Sequence, residues 1–417
     1  MHRNNLFCVL GFSIRARASP QDEPKRGIDL QEAGPISVAH VERLGLQTSV
    51  NSCSHRDLGF TGSIRGQWYS VFGDTLWCQP GVTDPEADTP GFHGMVRNSI
   101  ARLTPDPLKV VDLHLNNDTP VCHPLQFLRA NPAWNETENY FFGVSSLLET
   151  DNRNSATAAM FYLINGTGTG VGPSGRPIGA GVARVEVIDD APTVTRRYGD
   201  RGFWWNATDT PRYGDIAAYR DVNSDYIYVW GGPPLAVDRP GDPWDQRVYL
   251  ARVPAAYAFQ LDMYQYYWGP RRGWRTGKPL TRFDDETAVL RGVGQGQVVF
   301  NRYYSRYLFV HTGFLDLTVY IKTAKTPLGP WTASAKVYTT KLIGDGLVYA
   351  GVVYPHYDES GKTLVIGYTN NNHIELIRVT FAGGADRQTP SPKPSLVPVP
   401  PPPRTTRPPA SPAAPAH

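Results

Sequence analysis

An all-β chain folded as a five-bladed β-propeller is what this sequence predicts, and three observations carry that reading. A pair of short apolar strands recurs five times along the 417 residues. No long stretch sustains the 3.6-residue apolar period of a packed helix. The 40 glycines, 37 prolines and 12% aromatic residues suit many short strands joined by tight turns. A repeat of ~40 to 50 residues or more, built from strands alone, is the mark of propeller blades. Five blades use most of the length as one body, so one folded domain over residues 45–381 is expected.

In chain order, the first unit pairs residues 69–73 (Tyr-Ser-Val-Phe-Gly) with 100–102 (Ile-Ala-Arg). The second pairs 161–165 with 182–184, the third 226–230 with 250–252, the fourth 307–311 with 320–322, and the fifth 364–368 with 376–378. Upstream of each lies a run of smaller residues, at 58–64, 142–148, 213–218, 293–299 and 350–354. Strands crowd together near a propeller axis, and glycine tolerates close backbone approach, so these runs are expected as the inner strands. Residues at their heads then face one mouth of the central channel.

Before the first unit, a basic start, an apolar run over 6–14 and small residues near Ala18 form a signal-peptide pattern over 1–18, followed by a lead-in over 19–44. The apolar run is too short to span a bilayer. Sequons at Asn117, Asn135, Asn165 and Asn206 agree with a secreted glycoprotein. Residues 382–417 hold 12 of the 37 prolines and read as an extended, disordered tail. Four Lys/Arg against one Asp give that tail +3, and three Arg give the leader +3; removing both from the chain's +3 leaves the core at −3. No nucleic-acid surface and no membrane partner are expected, and the protein should be a monomer.

With Cys8 in the leader, three of the four cysteines remain for the fold. Cys53 and Cys78 flank the first hairpin, whose ends return to one edge, and are candidates for a disulfide; Cys122 is then free. Three scattered cysteines argue against structural zinc. No metal site or cofactor is expected, although a structural cation in the channel is compatible with the sequence.

Chemistry enters at Asp57 and Asp74. Asp57 sits just before the inner strand of blade one and Asp74 just after the second strand, antiparallel to it, so an out-and-back hairpin brings both to the same mouth. Two carboxylates with room for a sugar between them suit glycoside hydrolysis: one protonates the departing oxygen, the other activates water or attacks the anomeric carbon. Mutual repulsion and burial would push their pKa values apart and separate the two roles. Both also suit turns, where Asp caps exposed N–H groups.

The stretch 55–60 (His-Arg-Asp-Leu-Gly-Phe), followed by 68–75 (Trp-Tyr-Ser-Val-Phe-Gly-Asp-Thr), resembles the opening blade of family 4185 of the domains of unknown function. That family is similar in shape to the five-bladed arabinanases and β-fructosidases and includes endo-D-arabinanases of glycoside hydrolase family 183. The resemblance implies that Asp57 and Asp74 are the catalytic pair and that a D-arabinan-type furanoside polysaccharide is the substrate. The segment 321–331, ending Gly-Pro-Trp331, is similar to a blade edge of such sugar-active propellers. The resemblance spans about residues 45–381, with its specific motifs in the first blade alone. The Pro-rich tail and the insertion over 81–93 depart from the family.

Further substrate contacts are expected from Arg56, beside Asp57, and from Arg97 and Asn98, just before the third strand of blade one. Asp215 heads the inner strand of blade three, as a further acid or as a turn residue. His356 follows Pro355 in blade five, where it could reach a sugar or fill a wall. Trp77 and Trp205 are read as loop residues offering flat faces to a sugar, while the other aromatics fill the space between blades. Glu149, ending an inner strand, belongs to the opposite mouth. The glycine runs at 292–296 and 166–172 are not phosphate cradles, because no helix follows either. The rival to catalysis is a lectin-like propeller that binds carbohydrate without cleaving it.

Overall fold

Five blade sheets of mostly short strands and one two-stranded ribbon make up the structure, a computed structural model that describes residues 36–78, 92–117, 122–137, 140–150, 156–166, 175–237, 246–313 and 316–383. The signal-peptide pattern, most of the 81–93 insertion and the chain beyond residue 383 lie outside those residues. Each blade is an antiparallel meander whose second and third strands are the pair read from sequence. In blade one, Tyr69 opposes Arg102; in blade two, Phe161 opposes Val182; in blade three, Trp230 opposes Leu250. In blade four His311 opposes Tyr320, and in blade five Tyr368 opposes Glu375.

The inner strands are Ser54–Ile64, Tyr140–Glu149, Arg212–Arg220, Gly296–Asn301 and Val348–Tyr354. Alternate residues of each blade point to its two neighbours, so apolar side chains fill five wedges. Phe142 and Tyr162 meet Val71 and Ile100 between blades one and two. Phe161 meets Tyr213 and Tyr249 between two and three, and Trp230 meets Phe309 between three and four. Leu308 meets Ile366 between four and five. The fifth wedge joins Phe60 and Phe72 of blade one to Val352 and Leu376 of blade five, and the ring closes there.

The outermost strand of blade five is not C-terminal. Ser37–Leu46 pairs antiparallel with His373–Ala382, from Ser37 opposite Ala382 to Leu46 opposite Glu375, with register shifts between Val38 and His40 and between Arg43 and Gly45. Residues 37–44, assigned to a lead-in from sequence, therefore belong to the propeller. The strand shows no strict alternation, because only its inner edge is paired and most of its side chains stay at least partly exposed, so polarity patterning gave no signal. Arg43 closes onto the buried carboxylate of Glu375, and Glu42 pairs with Arg378.

Every inner strand starts at the same mouth of the ring and ends at the other. Between the mouths the axis is filled by the Gln297 side chain of blade four. Its amide donates to the Thr61 carbonyl at 2.8 Å and to Ser146 Oγ at 3.2 Å, and its oxygen accepts from Val353 N–H at 3.2 Å. One amide thus ties blades one, two, four and five across the centre. Among the described residues, no group of three or more His, Cys, Asp or Glu side chains could hold a metal ion.

Candidate active site

Asp57 lies in the inner strand of blade one at a double irregularity. The register of that strand against Gln67–Cys78 slips between Arg56 and Leu58 and again between Leu58 and Phe60. Leu58 takes a left-handed backbone at φ 63° and Gly59 follows at φ 81°. A non-glycine residue held there costs on the order of 1–3 kcal/mol, and bulges of this kind re-aim neighbouring side chains. Leu58 N–H donates to Thr369 Oγ1 of blade five at 2.9 Å, which holds the bulge in place.

The bulge turns the Asp57 carboxyl over the backbone of the partner strand. A Cβ on Gly73 would lie 2.2 Å from Asp57 Oδ1, so glycine at the residue before Asp74 lets the Asp57 carboxyl lie where it does. Both carboxyls are buried, Asp57 at 2% and Asp74 at 4% exposure. Burial first, and then the neighbouring Asp74 carboxylate, pushes the Asp57 carboxyl well above the usual carboxylate range. Tyr349 opposes both effects by donating its hydroxyl to Asp57 Oδ2 at 2.6 Å. Arg97 Nη1 stands 3.8 Å from Asp74 Oδ2. The structure therefore brings Asp57, Asp74 and Arg97 together and adds Tyr349.

Cys53 and Cys78 form a disulfide with Cα atoms 5.5 Å apart, four residues outside each carboxylate, and so staple the two strands that carry the pair. Cys122 is a free thiol.

Other expected contacts are committed elsewhere. Arg56 is 2% exposed; it makes two hydrogen bonds to Asp112, at 2.5 and 3.1 Å, and lies 4.6 Å over the Phe72 ring. Asp112 is held below the usual carboxylate range by that guanidinium, against its own burial. Asn98 is fully buried and brackets Leu128, donating to its carbonyl at 3.2 Å and accepting from its N–H at 2.5 Å. Asp215 heads the blade-three strand, on the same mouth, but it accepts from Arg212 Nε and from Gly232 N–H, each at 2.8 Å. It is a buried ion pair.

Neither tryptophan is a loop residue. Trp205 belongs to the short strand Trp205–Asn206, is 1% exposed, and donates from Nε1 to Tyr266 OH at 3.0 Å inside the wedge between blades two and three. Trp77 sits in the strand Gln67–Cys78 and stacks on His123 with centroids 4.1 Å apart. His356 packs on Trp68 at 4.7 Å and lines a cavity of about 880 Å³ with Glu149 and Arg220, at the ends of the inner strands. That cavity opens at the mouth opposite the carboxylate pair, with Gln297 at its floor. The largest described volume and the buried carboxyl pair thus lie at different mouths: Glu149, Asp221, Asp225 and Asp358 line the cavity, while Asp57 and Asp74 are buried at the other. Of the four sequon asparagines, Asn117, Asn135 and Asn206 are exposed, whereas Asn165 is 6% exposed within a strand and cannot present its amide.

Residues 198–391 match the model of a Domain of unknown function (DUF5005), and it is this family model that matches rather than that of family 4185. The match covers blades three to five and leaves out blade one, where the motif resemblance was read. No curated protein matches the chain. Among solved structures, a candidate hydrolase from Bacteroides ovatus ATCC 8483 superposes with a TM-score of 0.53 at 16% identity, covering 79% of this chain and 86% of that one. At that identity the likeness shows the fold alone. The RS223-β-xylosidase and a family 117 glycoside hydrolase from Zobellia galactanivorans align over 81% and 84% of this chain, and 94% and 92% of theirs. Their identities are 12% and 11% and their TM-scores 0.42 and 0.41, too low to carry an argument.

Proposed function

We propose that this protein is a secreted glycoside hydrolase whose acid–base couple is Asp57 and Asp74. The observation that carries the reading is a pair of buried carboxyls on facing strands at one mouth, close enough that burial and then the Asp74 charge push Asp57 well above the usual carboxylate range. A carboxyl whose proton is held more tightly than usual is suited to donate it to a departing glycosidic oxygen. Asp74, with the Arg97 guanidinium 3.8 Å away, is the second carboxylate, which activates water or attacks the anomeric carbon. The exposed sequons at Asn117, Asn135 and Asn206 and the Cys53–Cys78 disulfide support a place outside the cell.

The substrate class we propose is a furanoside polysaccharide, with D-arabinan first, on the strength of the opening-blade motif. Chromatography of products after incubation with D-arabinan, L-arabinan, fructan and xylan tests it. Oligosaccharides from D-arabinan are the expected result; products from xylan alone would move the substrate to pyranosides. A carbohydrate-binding propeller is the second reading, favoured by the engagement of Asp215 with Arg212, which leaves the pair without a third free acid from that strand. It predicts affinity for a polymer and no product from any.

A further inference from the structure

Blade five reaches into the carboxylate site of blade one at two points. Thr369 Oγ1 accepts from Leu58 N–H at 2.9 Å, and Tyr349 OH donates to Asp57 Oδ2 at 2.6 Å. Tyr349 is aimed there by a bulge of its own: the register of Val348–Tyr354 slips between Tyr349 and Val352, and Ala350 is left-handed at φ 58°. Two strained backbones on adjacent blades, Leu58 and Ala350, thus converge on a single hydroxyl–carboxyl contact. Strain kept in two places for one contact points to a use beyond packing.

We propose that Tyr349 is the positioning residue of the general acid, holding Asp57 and stabilising the carboxylate it becomes when its proton leaves. The inference rests on the hydrolase reading. In the step it serves, the proton on Asp57 passes to the glycosidic oxygen as the C–O bond to the anomeric carbon breaks; the bond's electron pair leaves with that oxygen, and the anomeric carbon is bonded in its place by Asp74 or by water that gives its proton to Asp74. A full negative charge then appears on Asp57, buried and beside the Asp74 carboxyl. Burial and Asp74 both resist that charge; the Tyr349 hydroxyl, already aimed at Oδ2, favours it. A donor fixed before the charge develops needs no reorganisation during the step. Among the charged and titratable groups around Asp57 are Asp74 from its own blade, with Arg97 behind it, and Tyr349 from blade five.

The test is Tyr349→Phe, which keeps the ring and removes the hydroxyl. The Asp57 carboxyl is followed by carbon-13 NMR in protein labelled at aspartate, with its signal assigned by its loss in Asp57→Asn. This arm needs no substrate, so it decides the contact even if hydrolysis is never seen. The expected result is an Asp57 titration displaced to higher pH in Tyr349→Phe. Turnover supplies the second arm. On D-arabinan kcat should fall about tenfold, as expected for one lost hydrogen bond to a charged group. On 4-nitrophenyl α-arabinofuranoside, whose leaving group needs little protonation, it should fall less, and the alkaline limb of the pH profile should move upward. An unmoved Asp57 titration overturns the proposal, and equal losses on both substrates reduce Tyr349 to packing.

Discussion

Gly73→Ala is the smallest change that reaches the site without touching a carboxyl. The backbone there is not left-handed, so an alanine meets no conformational penalty and the effect is steric. Its Cβ would lie 2.2 Å from Asp57 Oδ1, 2.9 Å from Leu58 Cδ1 and 3.2 Å from Asp57 Cγ. An ordinary C···O contact needs roughly 3.3 Å, so the Asp57 carboxyl must retreat by about 1 Å. That displacement pulls it from Tyr349, with which its contact is 2.6 Å. Overpacking of a buried site costs about 1–3 kcal/mol, and a 1 Å misplacement of a reacting group can cost about a hundredfold in rate. The control is Gly143→Ala in the inner strand of blade two, where the nearest atom to a new Cβ is Leu163 Cβ at 3.7 Å. Initial rates on the degraded polymer and thermal melts of both variants make the assay. A large rate loss in Gly73→Ala with little change in Gly143→Ala is expected. A Gly73→Ala enzyme with wild-type rate would refute the placement of Asp57 as a reacting group.

Three further outcomes follow from the same contacts. Asp57 titrates higher folded than unfolded, so its contribution to stability is fully present below the ordinary carboxyl range and is lost as pH rises through the folded value; Asp57→Asn should therefore melt above wild type at pH 8 and level with it at pH 3. Equal melting differences at both pH values would contradict the raised carboxyl. Arg56→Met strands the buried Asp112 carboxylate and should cost about 3–5 kcal/mol by denaturant unfolding, with most of it recovered in Arg56→Met/Asp112→Leu; a single variant within 1 kcal/mol of wild type would be the contrary result. Removing the Cys53–Cys78 bridge, which spans 25 residues, should cost about 3–4 kcal/mol in the chain-entropy picture, read as a lower denaturation midpoint, and an unchanged midpoint would contradict it.

The hairpins were legible because each carries its own alternation and turn, and every one of the five pairs formed where residues 69–73, 161–165 and their counterparts placed it. Asp57 and Asp74 were legible because a hairpin fixes its two ends locally. What sequence could not show is what depends on the ring. The closing strand Ser37–Leu46 finds its partner more than 300 residues away, and no local pattern announces that pairing. Arg56 and Asn98 carry the right groups for a sugar, but their partners, Asp112 and Leu128, come from later strands and loops. Trp205 was misplaced because an isolated two-residue strand looks like a loop. Tyr349 had a signal that went unused: it stands at the head of an inner strand, where side chains face the mouth.

Turnover of Asp57→Asn and of Asp74→Asn, beside wild type on the polymer it degrades, tests the central claim most directly. Each substitution keeps shape and removes the ability to exchange a proton or carry the charge. Losses on the order of a hundredfold or more in both, with polymer binding retained, are what an acid–base couple requires. A wild-type rate in either variant would contradict the assignment of that carboxyl and return this mouth of the propeller to a binding role.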